Sequence, residues 1–246
     1  MLFRSLDRRE ALAAAQTQLA DPLARQLLVA GLTDKSPALR QMAVGLLDLK
    51  NAALRKAAAP VLLQLAATDS SVQVQAAALT ALGGLKEKRY ASVFTQALGS
   101  KSYRVQGAAL QGLLPLNPAG ALARATAFEA DNQGALTVAL VNVYGSAGGP
   151  AQWPLMRAKY DAAGPQQQFD MLPGFSDFLG RTDDAAALQQ GITRIRDLTV
   201  KYKANVNLEG LIGLLQKVQQ RQATRPQAAE TATLVEQAVG AMRAAK

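Results

Sequence analysis

Apolar residues recur along most of the chain at the three- and four-residue spacing of a helix face, and short polar stretches interrupt the pattern every few turns. Four segments align without gaps: Asp34–Leu47, Asp69–Leu82, Ser100–Leu113 and Asp131–Tyr144, at spacings of 35, 31 and 31 residues. An apolar residue stands five positions after each start, as Leu39, Val74, Val105 and Leu136. Nine positions after each start come Ala43, Ala78, Ala109 and Leu140. The pattern predicts four helices, each with one buried stripe, and the alanines let neighbouring helices approach closely. Asp34, Asp69, Ser100 and Asp131 sit where a short polar side chain accepts the free amide hydrogens of a helix start. A second apolar-periodic stretch precedes each segment: Leu23–Leu32, Leu54–Ala66, Tyr90–Leu98 and Ala121–Phe128. Each unit therefore reads as a helix pair, and a pair buries both its faces only by stacking on its neighbours.

The core Asp34…Leu39-Arg40…Ala43 and Asp69…Val74-Gln75…Ala78 resembles the second-helix signature of HEAT repeats, over roughly residues 17–144. The resemblance implies an all-α, HEAT-type α-solenoid, a right-handed superhelix of helix pairs spanning 1–144. Residues 145–151 read as a Gly-rich loop, with no preceding strand and no following Gly-Lys-Ser/Thr to suit a phosphate. Residues 152–246 read as a divergent helical C-terminal cap continuous with the repeats. Helices are expected near Gln152–Ala163, Gln166–Leu179, Ala185–Val200, Asn207–Gln222 and Arg225–Ala245. Phe169, Leu172, Phe175 and Phe178 give the second of these an apolar core face.

Composition agrees with a helical globular chain: 49% hydrophobic, 5% aromatic and 18% charged residues. The absence of cysteine and histidine excludes disulfides, thiolate or imidazole metal sites and Ser-His-Asp or Cys-His catalysis. Asp183-Asp184 is the one adjacent acidic pair, and it suits a helix start better than a shared dyad. The net charge of +9 is scattered, and its densest cluster, Lys86-Glu87-Lys88-Arg89, carries its own glutamate. A solvated surface accounts for this charge better than a nucleic-acid arm does. Met1–Glu10 lacks the apolar core of a signal peptide, and no stretch is apolar enough to span a bilayer. The chain reads as soluble without membrane insertion, and its compartment stays open, a periplasmic or cell-envelope one included.

A second resemblance runs along almost the whole chain. Leu6-Asp7-Arg8-Arg9-Glu10-Ala11-Leu12, Leu32-Thr33-Asp34-Lys35 through Leu47-Asp48-Leu49, Tyr90-Ala91-Ser92-Val93-Phe94, Ser102-Tyr103-Arg104-Val105 with Ala108-Ala109-Leu110, and Phe178-Leu179-Gly180-Arg181-Thr182 carry it. In this order they look like the C-terminal helical domain of bacterial zinc aminopeptidases of the aminopeptidase-N type. Asp7 and Glu10 are also spaced as a capping box. The resemblance implies a non-catalytic scaffold and substrate-access gate, whose zinc and catalytic domain lie elsewhere in cis or on a partner. This chain has no His-Glu-x-x-His and no Gly-x-Met-Glu-Asn, so no catalytic, cofactor or metal residue is expected in it. A stand-alone HEAT scaffold for another protein shares the fold. A HEAT-like DNA glycosylase is the competing class and requires stacking aromatics over a basic groove. The candidate binding residues are Tyr103 and Arg104 at a turn, and Tyr144, Trp153 and Arg157 beside Lys159 and Tyr160.

Overall fold

The computed structural model of the chain describes residues 5–245, so the first four residues of the Met1–Glu10 segment lie outside the described part. Among the described residues every regular element is a helix: fourteen α-helices and three short 3-10 turns. They gather into two compact units, one ending at Gly120 and the other beginning at Ala121.

The first unit holds α1 (Ser5–Gln16), α2 (Pro22–Gly31), α3 (Pro37–Leu46), α4 (Ala52–Thr68), α5 (Val72–Gly84), α6 (Ala91–Ala97) and α7 (Tyr103–Leu113). Each helix packs against the one two places further on: α1 on α3, α3 on α5 and α5 on α7 in one layer, α2 on α4 and α4 on α6 in the other. The repeat positions carry this stacking. Leu39, Val74, Val105, Ala43, Ala78 and Ala109 are each no more than 2% exposed. Asp21 caps α2 by accepting from Leu23 N at 2.9 Å, and Asn51 caps α4 through Leu54 N at 3.0 Å.

The repeated polar residue works differently from the expectation. The N-caps of α3, α5 and α7 are Ser36, Ser71 and Ser102, two residues later, and none makes a side-chain cap bond. Asp34 and Asp69 instead accept from Ser36 N and Ser71 N at 2.8 Å, and Ser100 accepts from Ser102 N at 3.2 Å. They brace the turn that leads into the helix. The side chain six positions on closes the same turn. Arg40 donates to Asp34 O at 2.8 Å, Gln75 to Asp69 O at 2.7 Å and Gln106 to Ser100 O at 2.7 Å. Arg40 also forks onto both Asp69 carboxylate oxygens at 2.7 Å, which ties one repeat to the next. The capping-box reading of Asp7 and Glu10 fails too, since α1 begins at Ser5 and Asp7 lies inside its first turn.

The unit boundary falls inside α8 (Pro118–Ala127). The second unit contains α9 (Ala135–Ala147), α10 (Trp153–Ala162), α11 (Pro165–Leu179), α12 (Ala185–Lys201), α13 (Leu208–Gln222) and α14 (Ala228–Ala244). All five expected C-terminal helices form. The expected loop at 145–151 is shorter: α9 runs on through Ala147, and a 3-10 turn begins at Pro150. Gly145 serves a helix crossing, because α9 packs closely on α11. Within this unit α9 stacks on α11, α11 on α13 and α12 on α14, the same two-places-on order as in the first unit.

The α9–α11 crossing is built from two glycines and an asparagine. A Cβ at Gly145 would lie 2.0 Å from Gly174 O. Pro173 precedes this point inside α11 and removes a helical donor. Asn142 of α9 bonds both neighbouring backbone groups. Gly174 N donates to its Oδ1 at 2.9 Å, and its Nδ2 donates to Asp170 O at 3.1 Å. In a regular helix the Gly174 N–H serves that Asp170 carbonyl directly.

Candidate functional site

The structure separates the five candidate residues by environment. Tyr103 and Arg104 open α7 in the first unit, where Tyr103 is half-buried and Arg104 is exposed. Tyr144, Trp153 and Arg157 belong to the second unit, and the first two are corrections. Tyr144 is fully buried in α9 and its hydroxyl donates to Glu129 Oε1. Trp153, 6% exposed, stacks on Phe178 at 5.2 Å and meets Phe175 edge-on at 5.3 Å. Tyr160 lies against Phe175 at 4.8 Å. These rings form a closed aromatic core, so no face is left for a base to stack on. Arg157 is fixed as well: it donates to Gln190 Oε1 at 2.8 Å, the oxygen that Trp153 Nε1 also reaches at 3.3 Å. Phe169 is the one member of the expected apolar face left half-buried, edge-on to Tyr202 at 5.8 Å.

Burial, reinforced by Glu129, pushes the Tyr144 phenol up to about 12. Burial likewise raises Tyr160. Their neutral forms stabilise the fold fully below the ordinary tyrosine pKa of about 10, and this is lost as pH rises through the raised values. Absorbance titration of the phenolates is expected to show Tyr144 and Tyr160 ionising late, together with alkaline unfolding. Five coincident, ordinary transitions in the folded protein would contradict this packing.

Asp183 and Asp184 open α12, as expected of them. Asp184 accepts from Ala187 N at 3.1 Å, and Asp183 pairs with Arg225 at 2.9 Å. Asp177 is held by Ser146, Lys217 and Arg221, at 3.0, 3.1 and 2.7 Å. Burial opposes its charge, yet these partners hold its carboxyl below the usual range. Arg181 spends one guanidinium nitrogen on the carbonyls of Gly145 and Gly148, at 2.6 and 3.0 Å. These charged groups tie α9, α11, α12 and α13 together. Among the described residues no three His, Cys, Asp or Glu side chains are placed to hold a metal.

The sequence reading missed a groove in the first unit. It has a volume of about 660 Å³. Its walls are Gln41, Val44 and Gly45 of α3, the connection Leu47–Lys50, Arg55 of α4, and Ala77, Thr80, Ala81 and Gly84 of α5. The α5 residues fall at the spacing of a single helix stripe. A Cβ added to Gly45 or Gly84 would meet nothing within 4 Å, so packing inside the chain does not call for glycine at either position. Gly45 and Gly84 both stand in the last turn of their helices, α3 and α5. Charge is uneven as well: up to Gly120 the sequence has fourteen Lys and Arg against seven Asp and Glu, a net of +7 out of +9.

Comparison with known proteins agrees with this architecture. Residues 59–133 match the HEAT repeats family. That span runs from within α4 to the turn before α9, across the repeats based on Asp69 and Ser100. The fold is similar to the structure of the complex of CpcE and CpcF of phycocyanin lyase from Nostoc sp. PCC7120. The match has a TM-score of 0.50 at 15% identity, and covers 87% of this chain and 94% of that one. A crystal structure of an engineered protein also matches, at 17% identity and a TM-score of 0.37, over 97% of this chain and 89% of that one. No curated protein matches the sequence. The fold is all-α, of the HEAT-type α-solenoid class. No helix among the described residues is long and apolar enough to cross a membrane.

Proposed function

We propose that this chain is a HEAT-repeat scaffold that binds another protein. The observation that supports this most is the groove on α3 and α5, left open among the described residues of the first unit. The rings and most of the charged groups of the second unit, by contrast, are engaged internally. The structural neighbour is itself a complex of two chains, CpcE with CpcF. The aminopeptidase-domain reading has less support. Of the residues that carry that likeness, Tyr90, Phe94, Val105, Ala109, Phe178, Leu179 and Thr182 are buried, and they report helix packing before any partner. Neither the HEAT match nor the fold likeness names a peptidase. The glycosylase reading loses its stacking residues to the closed aromatic core.

The test is to purify the untagged chain from its source cells and weigh the native particle. A stoichiometric heteromer with an identified partner is expected, heavier than the 25.9 kDa of this chain. A lone monomer under gentle lysis would overturn the scaffold reading. If the chain appears instead as part of one longer polypeptide with a peptidase region, the aminopeptidase reading takes its place.

A further inference from the structure

We infer that the α3–α5 groove receives an acidic α-helix of the partner protein, with small side chains on its docking face. The inference rests on the scaffold reading and adds the place and the chemistry of the contact.

Three features converge on this occupant. The floor is shallow and largely apolar: Val44, Leu47, Leu49, Ala77, Ala81 and Leu85 line it, with Gln41 and Thr80 as the uncharged polar groups. Gly45 and Gly84 keep two points of the wall at backbone height, and among the described residues nothing lies within 4 Å of a Cβ placed there. A helix seated there can approach more closely than any side chain would permit, provided its own contacting residues are small. The groove's cations are Lys50 and Arg55, against one acid, Asp48, which accepts from Lys50 N at 3.0 Å. Arg55 points a guanidinium nitrogen to Leu49 O at 3.3 Å, which holds it over the same connection. The lining therefore has one more cation than anion, and the unit that carries it has a net charge of +7, which favours an acidic partner over a basic one.

Binding is tested with the full chain and a helical peptide of about five turns. The peptide has Ala and Ser on one face and Glu elsewhere, and a control replaces Glu by Lys. Fluorescence anisotropy is expected to show salt-sensitive binding of the Glu peptide and none of the Lys peptide. Gly45→Leu fills open space on α3, so it is expected to leave the melting temperature unchanged or raised while weakening binding about tenfold or more. Lys50→Glu is expected to weaken it further and to flatten the salt dependence. Failure of the Glu peptide to bind, equal binding of both peptides, or full binding by a folded Gly45→Leu variant would each overturn the groove assignment. The native complex separates this from the broader reading. If Gly45→Leu still co-purifies with the stoichiometric partner, the scaffold reading stands and the groove does not. If the unaltered chain has no partner, both fall.

Discussion

Replacing Gly145 with alanine is expected to destabilise the second unit by about 3 kcal/mol, at the upper end of what overpacking costs. The new Cβ would lie 2.0 Å from Gly174 O, 2.4 Å from its carbonyl carbon and 2.5 Å from its Cα. All three are backbone atoms, so no side-chain rotation relieves the clash. The helices α9 and α11 must then move apart, exposing the interior around Leu140, Val141, Val143 and Tyr144, each fully buried. Urea unfolding should show a lower midpoint. Gly213→Ala on α13 is the control, because a Cβ there meets nothing within 4 Å and the change only raises helix propensity. Equal midpoints for the two variants would mean that α9 and α11 do not cross at this point.

The second large effect is expected from Asp69→Ala, about 3 kcal/mol, the range for removing one partner of a buried ion pair. The Asp69 side chain is 3% exposed and Arg40 12%, so the change takes the counter-ion from the guanidinium, leaving it only backbone carbonyls, and also unties the turn at Ser71. Removing Asp161, 49% exposed and paired with Arg194, should cost no more than about 1 kcal/mol. Burial alone would raise the Asp69 pKa, but the Arg40 hydrogen bonds and the Ser71 amide outweigh it and hold it low. A carboxyl depressed by folding stabilises fully above its unfolded value of about 3.9, and loses that contribution as pH falls through the folded one. Acid titration of stability should therefore be shallower in Asp69→Asn than in the unaltered protein. Parallel acid limbs would show that the pair does not couple to folding.

Much of the fold was legible because stacked helix pairs write their packing into sequence at a fixed interval. Leu39, Val74, Val105 and Leu136 lie where a shared stripe requires, and all are buried. The helix starts misled at Asp34 and Asp69, since an aspartate that caps and one that braces the preceding turn occupy nearly the same register. Gly145 misled for a related reason: glycine marks a chain break and a close helix crossing with the same letter. The partner that decides between them, Gly174, is far away in sequence. Trp153, Tyr144 and Arg157 looked like a binding cluster because aromatics beside arginine suit a surface and a core equally, and only burial distinguishes these. The α3–α5 groove left no trace, because small residues such as Gly45 and Ala81 suit a packed helix face and an open one equally.

Asn142 gives the second unit an internal reporter. Because the Gly174 N–H is held by a side chain from α9, its exchange with solvent deuterium measures detachment of α9, whereas its neighbours on α11 report fraying of their own helix. One amide thus reports the separation of two helices.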